Sequence, residues 1–155
     1  MQIRALTVDD MESLSALYYQ FWNEVSDVPK MKASFHAMQS DEAYILLGAE
    51  EAGKLVGSVM GIVCRELYGD CAPFLVLEDM IVDQNYRKQG VGKLLFRELE
   101  KRAVLKGCAQ VILVTDTSRK DAQGFYESMG FHPAANRGYK KKLGDYNEQR
   151  DHQAG

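Results

Sequence analysis

Val82-Asp83-Gln84-Asn85-Tyr86-Arg87-Lys88-Gln89-Gly90-Val91-Gly92-Lys93 links an apolar run to a segment with helical periodicity. Upstream, Pro73 to Val82 is almost continuously apolar, broken only by Glu78-Asp79, which is the pattern of a buried central strand. Downstream, Val91, Leu94, Leu95 and Leu99 recur at helical spacing as far as about Lys106, and Gly107 follows in the usual C-terminal position. The stretch is therefore a strand-to-helix turn. Unpaired N–H groups and the positive end of the helix dipole meet at such a turn and attract phosphate. Gly90 and Gly92 let the backbone close around a diphosphate, while Arg87, Lys88 and Lys93 add positive charge. A glycine-assisted turn with a solvated basic edge fits the same residues. Two other phosphate motifs do not: the Walker A pattern is absent, and the dinucleotide fingerprint lacks its third glycine.

Working outward, Ile3 to Leu6 reads as a short strand, and Thr7-x-x-Asp10 resembles a capping box. Met11, Leu14, Leu17, Tyr18, Phe21 and Val25 then share one helical face, ending before Pro29, and a weaker helical pattern runs from about Lys30 to Gln39. Ala43 to Gly48 and Lys54 to Cys64 are the arms of an antiparallel hairpin turning at Glu50 to Gly53. After the central strand and helix, Ala109 to Thr115 reads as a second buried strand, parallel to the first. A last helix, about Lys120 to Met129, turns Ala122, Phe125, Tyr126 and Met129 inward and stops at Gly130. Phe131-His132 and Tyr139 to Leu143 are expected to finish the sheet. Residues 1–143 read as a single domain, followed by a polar, flexible tail over 144–155.

The 155 residues, 46 % of them apolar, suffice for one α/β core without metal or disulfide staples. With 26 % charged residues and a formal charge of −3, the chain has no basic stripe for nucleic acid. Cys64, Cys71 and Cys108 are odd in number and lack Cys-x-x-Cys spacing, and His36, His132 and His152 have no metal-spaced partners, so no metal site is expected. Met1-Gln2-Ile3-Arg4 shows no apolar signal core, and no apolar run nears the roughly 18 residues that span a bilayer, so a cytoplasmic protein without membrane partners is expected.

Two motifs together carry a family resemblance. Arg87-x-x-Gly90-x-Gly92, directly after a strand, resembles the signature with which GNAT acetyltransferases hold the pyrophosphate of coenzyme A. Thirty residues on, Ala122-Gln123-Gly124-Phe125-Tyr126-Glu127-Ser128-Met129-Gly130-Phe131 is similar to that family's second motif, Ala-x-x-x-Tyr-x-x-x-Gly-Phe. The resemblance is firm over about Pro73 to Phe131. It implies an α/β fold with a mixed sheet of about seven strands, a central parallel pair splayed apart, and about four flanking helices. It also implies acetyl-CoA as cosubstrate, with pantetheine against the backbone of Met80, Ile81 and Val82. The diphosphate would then lie on Arg87, Lys88, Gln89, Gly90, Val91, Gly92 and Lys93. A bulge near Glu78-Asp79 would explain how two adjacent carboxylates enter an apolar strand.

Acetyl transfer to an amine needs a base, because an ammonium of pKa about 10.4 is almost wholly protonated at neutral pH. It also needs an N–H for the developing oxyanion and an acid for the departing thiolate. By resemblance Tyr126 is the acid and Glu78 the base, through water, while Asp79 attracts the substrate ammonium. Leu77-Glu78-Asp79 looks like the Leu-Glu-Asp run of spermidine acetyltransferases, although one of these carboxylates also suits a bulge cap or an ion pair. Tyr126 equally suits a core aromatic. Arg119 stands where the second motif often has asparagine; Ser118 to Ala122 instead resembles a subgroup that includes small-amine and aminoalkylphosphonate acetyltransferases. Arg119 would approach cofactor phosphate or an anionic substrate, or simply begin a solvated helix. Tyr18, Tyr19, Phe21 and Trp22 lie where the family builds a substrate wall, a composition that plain helix packing also produces. The function implied is acetylation of a primary amine on a small molecule, in a protein of a kind that is often a homodimer. Protein N-terminal or lysine acetylation, and non-catalytic acetyl-CoA binding, are the alternatives.

Overall fold

The chain opens with β1 (Gln2–Ala5), and Thr7 then starts a 3₁₀ turn over Val8–Asp10. The backbone N–H of Thr7 donates to Asp10 at 2.8 Å, and Arg4 grips the same carboxylate through both terminal nitrogens at 2.7 and 2.8 Å. That pairing holds the Asp10 carboxyl below its ordinary range despite burial, which works the other way. Two helices follow, α1 (Met11–Trp22) and α2 (Val28–Gln39). Asp27 caps α2 through the N–H of Lys30 at 3.0 Å, with Pro29 inside the first turn, where its missing N–H costs nothing. Helix α1 ends at Asn23 in the left-handed region, so Val25 leaves the apolar face assigned to it and is 81 % exposed.

The hairpin forms as β2 (Tyr44–Glu51) and β3 (Lys54–Cys64); β4 (Phe74–Val82), α3 (Val91–Leu105), β5 (Val111–Ile112) and α4 (Lys120–Ser128) complete the elements. The structure, a computed structural model, describes residues 1–133 and 136–143; the tail expected at 144–155 lies outside the described residues. The sheet runs β1-β2-β3-β4-β5, antiparallel except for the last pair. The class is the mixed α/β fold expected, with five strands among the described residues in place of about seven. Neither Phe131-His132 nor Tyr139 to Leu143 forms a strand.

Two compact units divide the chain, Met1–Leu113 and Val114–Gly155. In the first, neighbouring β3 residues show how the sheet is covered. A Cβ on Gly57 would meet Val91 and Leu95 of α3, and one on Gly61 would stand 2.6 Å from Leu99, so α3 lies directly on this face. Ser58 and Met60, between them, line a cavity with α1 and α2 on the other face. Leu94, read as inward from periodicity, is 42 % exposed on the outer side of α3.

Register changes once within β4. Ser58 pairs with Ile81 and Met60 with Glu78, so two steps on β3 face three on β4, and the extra residue is the bulge expected at Glu78-Asp79. Asp79 sits there at φ 51, a left-handed backbone that aspartate tolerates better than most residues. The bulge reverses the alternation. Leu75 packs beside Leu99 on the α3 face, yet Ile81, six residues on, belongs to the cluster of Leu6, Met11, Leu14 and Leu17 on the opposite face.

The parallel ladder is short, joining only Leu75 to Val111 and Val76 to Ile112, although β4 continues six residues further to Val82. The strand expected over 109–115 is thus two residues long. Strand propensity alone does not make a ladder.

Candidate active site

Val82 ends β4 with its carbonyl accepting Nε of Arg87 at 3.1 Å, and the chain then turns through a 3₁₀ segment, Gln84–Tyr86. Asp83 fixes that turn. It is 2 % exposed and accepts from the N–H of Asn85 at 2.9 Å, from Gln20 of α1 at 3.3 Å and from Lys54 of β3 at 3.3 Å. Burial opposes the charged form, but the Asn85 N–H, Gln20 and Lys54 together leave the carboxyl below its usual range. Gln20 also accepts the N–H of Gln84 at 3.1 Å, and the Lys54 ammonium lies 5.8 Å from the centre of the Tyr86 ring. Sequence reasoning assigned Asp83, Gln20 and Lys54 no role; the polar density of the turn was the only signal, because the partners lie far apart in the chain.

The loop above this anchor is exposed. Arg87, Lys88, Gln89, Gly90 and Lys93 face solvent, with Val91 buried and Gly92 half-buried. Lys88 and Gly90 take positive φ, 59 and 86, and Gly90 is the N-cap of α3, so the cap brings no side-chain acceptor to the first turn. The N–H groups of Val91, Gly92 and Lys93 start a helix of 15 residues, beside three cations. That donor set suits a diphosphate, and the residues fit the phosphate end of coenzyme A.

On the face of the sheet under α1 and α2 lies a cavity of about 340 Å³. Met11, Leu14, Met31, Phe35 and Met38 are among the apolar residues that line it, and Asp79 brings a carboxylate residue into the wall. Desolvation raises the Asp79 carboxyl above its usual range, and Tyr18, in the same wall, is raised by its own burial and by the Asp79 charge. The aromatic residue that α1 contributes to the wall is Tyr18. Tyr19 is half-exposed and does not line the cavity, and neither does Trp22, which packs edge-on against Tyr18 and Phe21 at 5.2 and 4.7 Å. Glu78 is exposed on β4, Met80 and Val82 are half-buried, and Ile81 is buried.

In the second unit, Asp116 organises the entry to α4. It accepts from the N–H and Oγ of Ser118 at 2.8 and 2.6 Å, and these bonds, the hydroxyl's foremost, keep its carboxyl low. Arg119 occupies the N-cap position. Tyr126 is half-buried between the rings of Phe125 and Phe131, at 5.3 and 5.7 Å, and its carbonyl accepts the N–H of Phe131 at 3.1 Å. Gly130, at φ 95, lets the chain reverse there. Among the described residues no group of three His, Cys, Asp or Glu is placed to hold a metal ion, and no helix is long and apolar enough to cross a membrane.

Known proteins resemble this chain in sequence and in fold. The chain is 35 % identical over 82 residues to a glucosamine 6-phosphate N-acetyltransferase of Trypanosoma brucei brucei, an alignment covering 53 % of this chain and 54 % of that one. It thus spans about half the length of that relative. Over 136 residues it is 26 % identical to an acetyltransferase of Sodalis glossinidius, covering 84 % of this chain and 87 % of the other. Among solved structures, an acetyltransferase of Trypanosoma brucei superposes with a TM-score of 0.75 at 26 % identity, over 92 % of this chain and 99 % of that one. Residues 9–131, which span the bulged strand, the cationic turn and the Tyr126 helix, match the acetyltransferase (GNAT) family. This chain belongs to that family and is an acyltransferase.

Proposed function

We propose that the protein transfers the acetyl group of acetyl-CoA directly to a primary amine of a small molecule, with residues 1–143 as one catalytic domain. The observation that carries this reading is a single strand with two ends of different chemistry. β4 passes the carboxylate-bearing bulge at Asp79, outruns its parallel ladder, and finishes in an exposed cationic turn at the start of α3. Arg87 through Lys93 hold the diphosphate, and the β4 backbone from Met80 to Val82 pairs with the pantetheine arm. Arg119 adds charge near the cofactor. Acetyl-CoA supplies an activated thioester.

The protein's own residues manage the protons and the charge. Asp79 draws the ammonium of the substrate into the cavity. Glu78 takes the amine proton through water, which leaves a nitrogen lone pair free to attack. A C–N bond forms at the acetyl carbon, the C–S bond breaks, Tyr126 gives its phenolic proton to the sulfur that leaves as coenzyme A thiol, and the second proton shed by the nitrogen returns through water to the phenolate. Backbone N–H of β4 stabilises the transient oxyanion.

An amine panel read by release of thiol tests this proposal. Thiol release that depends on the amine is expected, and Tyr126→Phe should lower kcat by about 10²-fold with little change in acetyl-CoA affinity. Tight acetyl-CoA binding with no turnover on any amine would reduce the protein to a binder, and equal kcat in the two proteins would remove Tyr126 from the mechanism.

A further inference from the structure

Resting on that proposed function, the cavity beside Asp79 narrows the class of acceptor. Its wall is apolar over most of its extent, through Met11, Leu14, Met31, Phe35, Met38 and Met60. With Leu6, Leu46 and Val59 these make nine apolar residues, four of them methionines, whose unbranched thioethers adapt to apolar guests of different shape. Charge is placed at few points. Asp79 stands in the wall with no hydrogen-bonding partner among the described residues, whereas Asp27 is occupied with capping α2 and lies 3.4 Å from Lys30. Lys30 is the sole cation in the lining, and its side chain is 86 % exposed.

We infer that the acceptor is an amphiphilic monoamine, a primary ammonium on an alkyl or arylalkyl body, seated with its nitrogen at Asp79 and its apolar part among the methionines. A sugar amine bearing phosphate fits this cavity badly. Its several hydroxyls would lose water against thioethers and a phenyl ring, with only Tyr18, Ser34 and Ser58 to offer hydroxyl partners, and its phosphate would find one cation that already faces a carboxylate. Monoamines differ as well from polyamines, whose second and third ammonium groups would enter the same apolar wall unpaired.

A homologous series tests this, from ethylamine to hexylamine, with 2-phenylethylamine, spermidine and glucosamine 6-phosphate alongside. Binding is measured by calorimetry on the full chain with saturating coenzyme A, and turnover by thiol release. Each added methylene should tighten binding about fourfold, equivalent to about 0.8 kcal/mol, until the cavity is filled. Asp79→Asn should weaken every alkylamine by a similar factor, on the order of tenfold or more, and leave the slope with chain length intact. Asparagine tolerates the same left-handed backbone, and the slope in the unaltered protein stands as evidence even where a variant folds poorly. Met31→Gln should flatten the slope instead.

A flat series, or glucosamine 6-phosphate or spermidine binding more tightly than hexylamine, overturns the assignment. Turnover of those polar amines alongside a flat alkyl series would do so while leaving acetyl transfer intact. Conversely, a steep series without turnover of any amine would uphold the cavity's preference and remove the catalytic proposal.

Discussion

Val91, Leu75, Leu95 and Leu99 are almost wholly removed from water where α3 covers the sheet, whereas the face beneath α1 and α2 keeps a cavity of about 340 Å³ with a carboxylate in its wall. Both faces belong to the same strands. One is closed by branched side chains packed onto glycines, the other left open by methionines and a backbone irregularity. On the proposed function, the contrast puts stability and chemistry on opposite sides of β3 and β4, with the bulge at Asp79 as the point of exchange.

Leu99→Ala tests the contrast most severely. The side chain is fully buried against Gly61 and Leu75, so its truncation should cost about 2–5 kcal/mol in denaturant unfolding. Met31→Ala, on the half-buried cavity wall, should cost less than half as much. Equal losses would erase the distinction between the faces. Next in size, Asp79→Asn should lower kcat/KM by about 2–5 kcal/mol of transition-state stabilisation, because a charged partner is removed from a desolvated site. Its stability should move the other way. A carboxyl whose pKa is raised by folding penalises the native state above that folded pKa, and the penalty fades as pH falls towards the unfolded value of about 3.9. The variant should therefore be more stable than the parent at pH 7 and indistinguishable from it near pH 4, as read from melting curves.

Asp83 has the opposite sign. Its carboxyl is lowered by folding, so it contributes stability above about pH 3.9 that is lost as pH falls through the folded value. Asp83→Asn should cost about 1–3 kcal/mol at pH 7, with the gap closing in acid, and should weaken acetyl-CoA binding by loosening the turn. The smallest effect is Lys88→Gly. Relief of a left-handed backbone should add about 1 kcal/mol of stability while one cation for the diphosphate is lost, so melting temperature and cofactor affinity should move apart.

How legible this was in the sequence depends on the range of the forces involved. The α1 face, the hairpin and the turn at Gly90 are local, and periodicity and glycine announce them, whereas the bulge at Glu78-Asp79 is an inference that accompanies the family resemblance. The length of β5 is not local. Val111 to Thr115 has the composition of a full strand, and only the paired neighbour decides how much of it is laddered. Asp83 was opaque because its meaning lies in Gln20 and Lys54, 63 and 29 residues away. Val25 and Leu94 satisfy helical spacing yet face solvent, since spacing names a face without saying how far the helix runs or how wide its covered stripe is. The cavity is a tertiary object: Tyr18 rather than Tyr19 borders it through the rotation of α1, which one residue of sequence cannot reveal.

The extra residue at Asp79 also constrains how this protein can change over evolutionary time. Ile81 points into the α1 cluster only because an uneven count precedes it, so a one-residue deletion between Glu78 and Met80 would restore strict alternation and send Ile81 towards α3. Substitution can retune the acid among the few residues that tolerate a left-handed backbone, but shortening the strand would turn the interior inside out. On the proposed function, acceptor preference can vary by side-chain replacement along α1 and α2, whereas a change in the length of β4 would disturb the core.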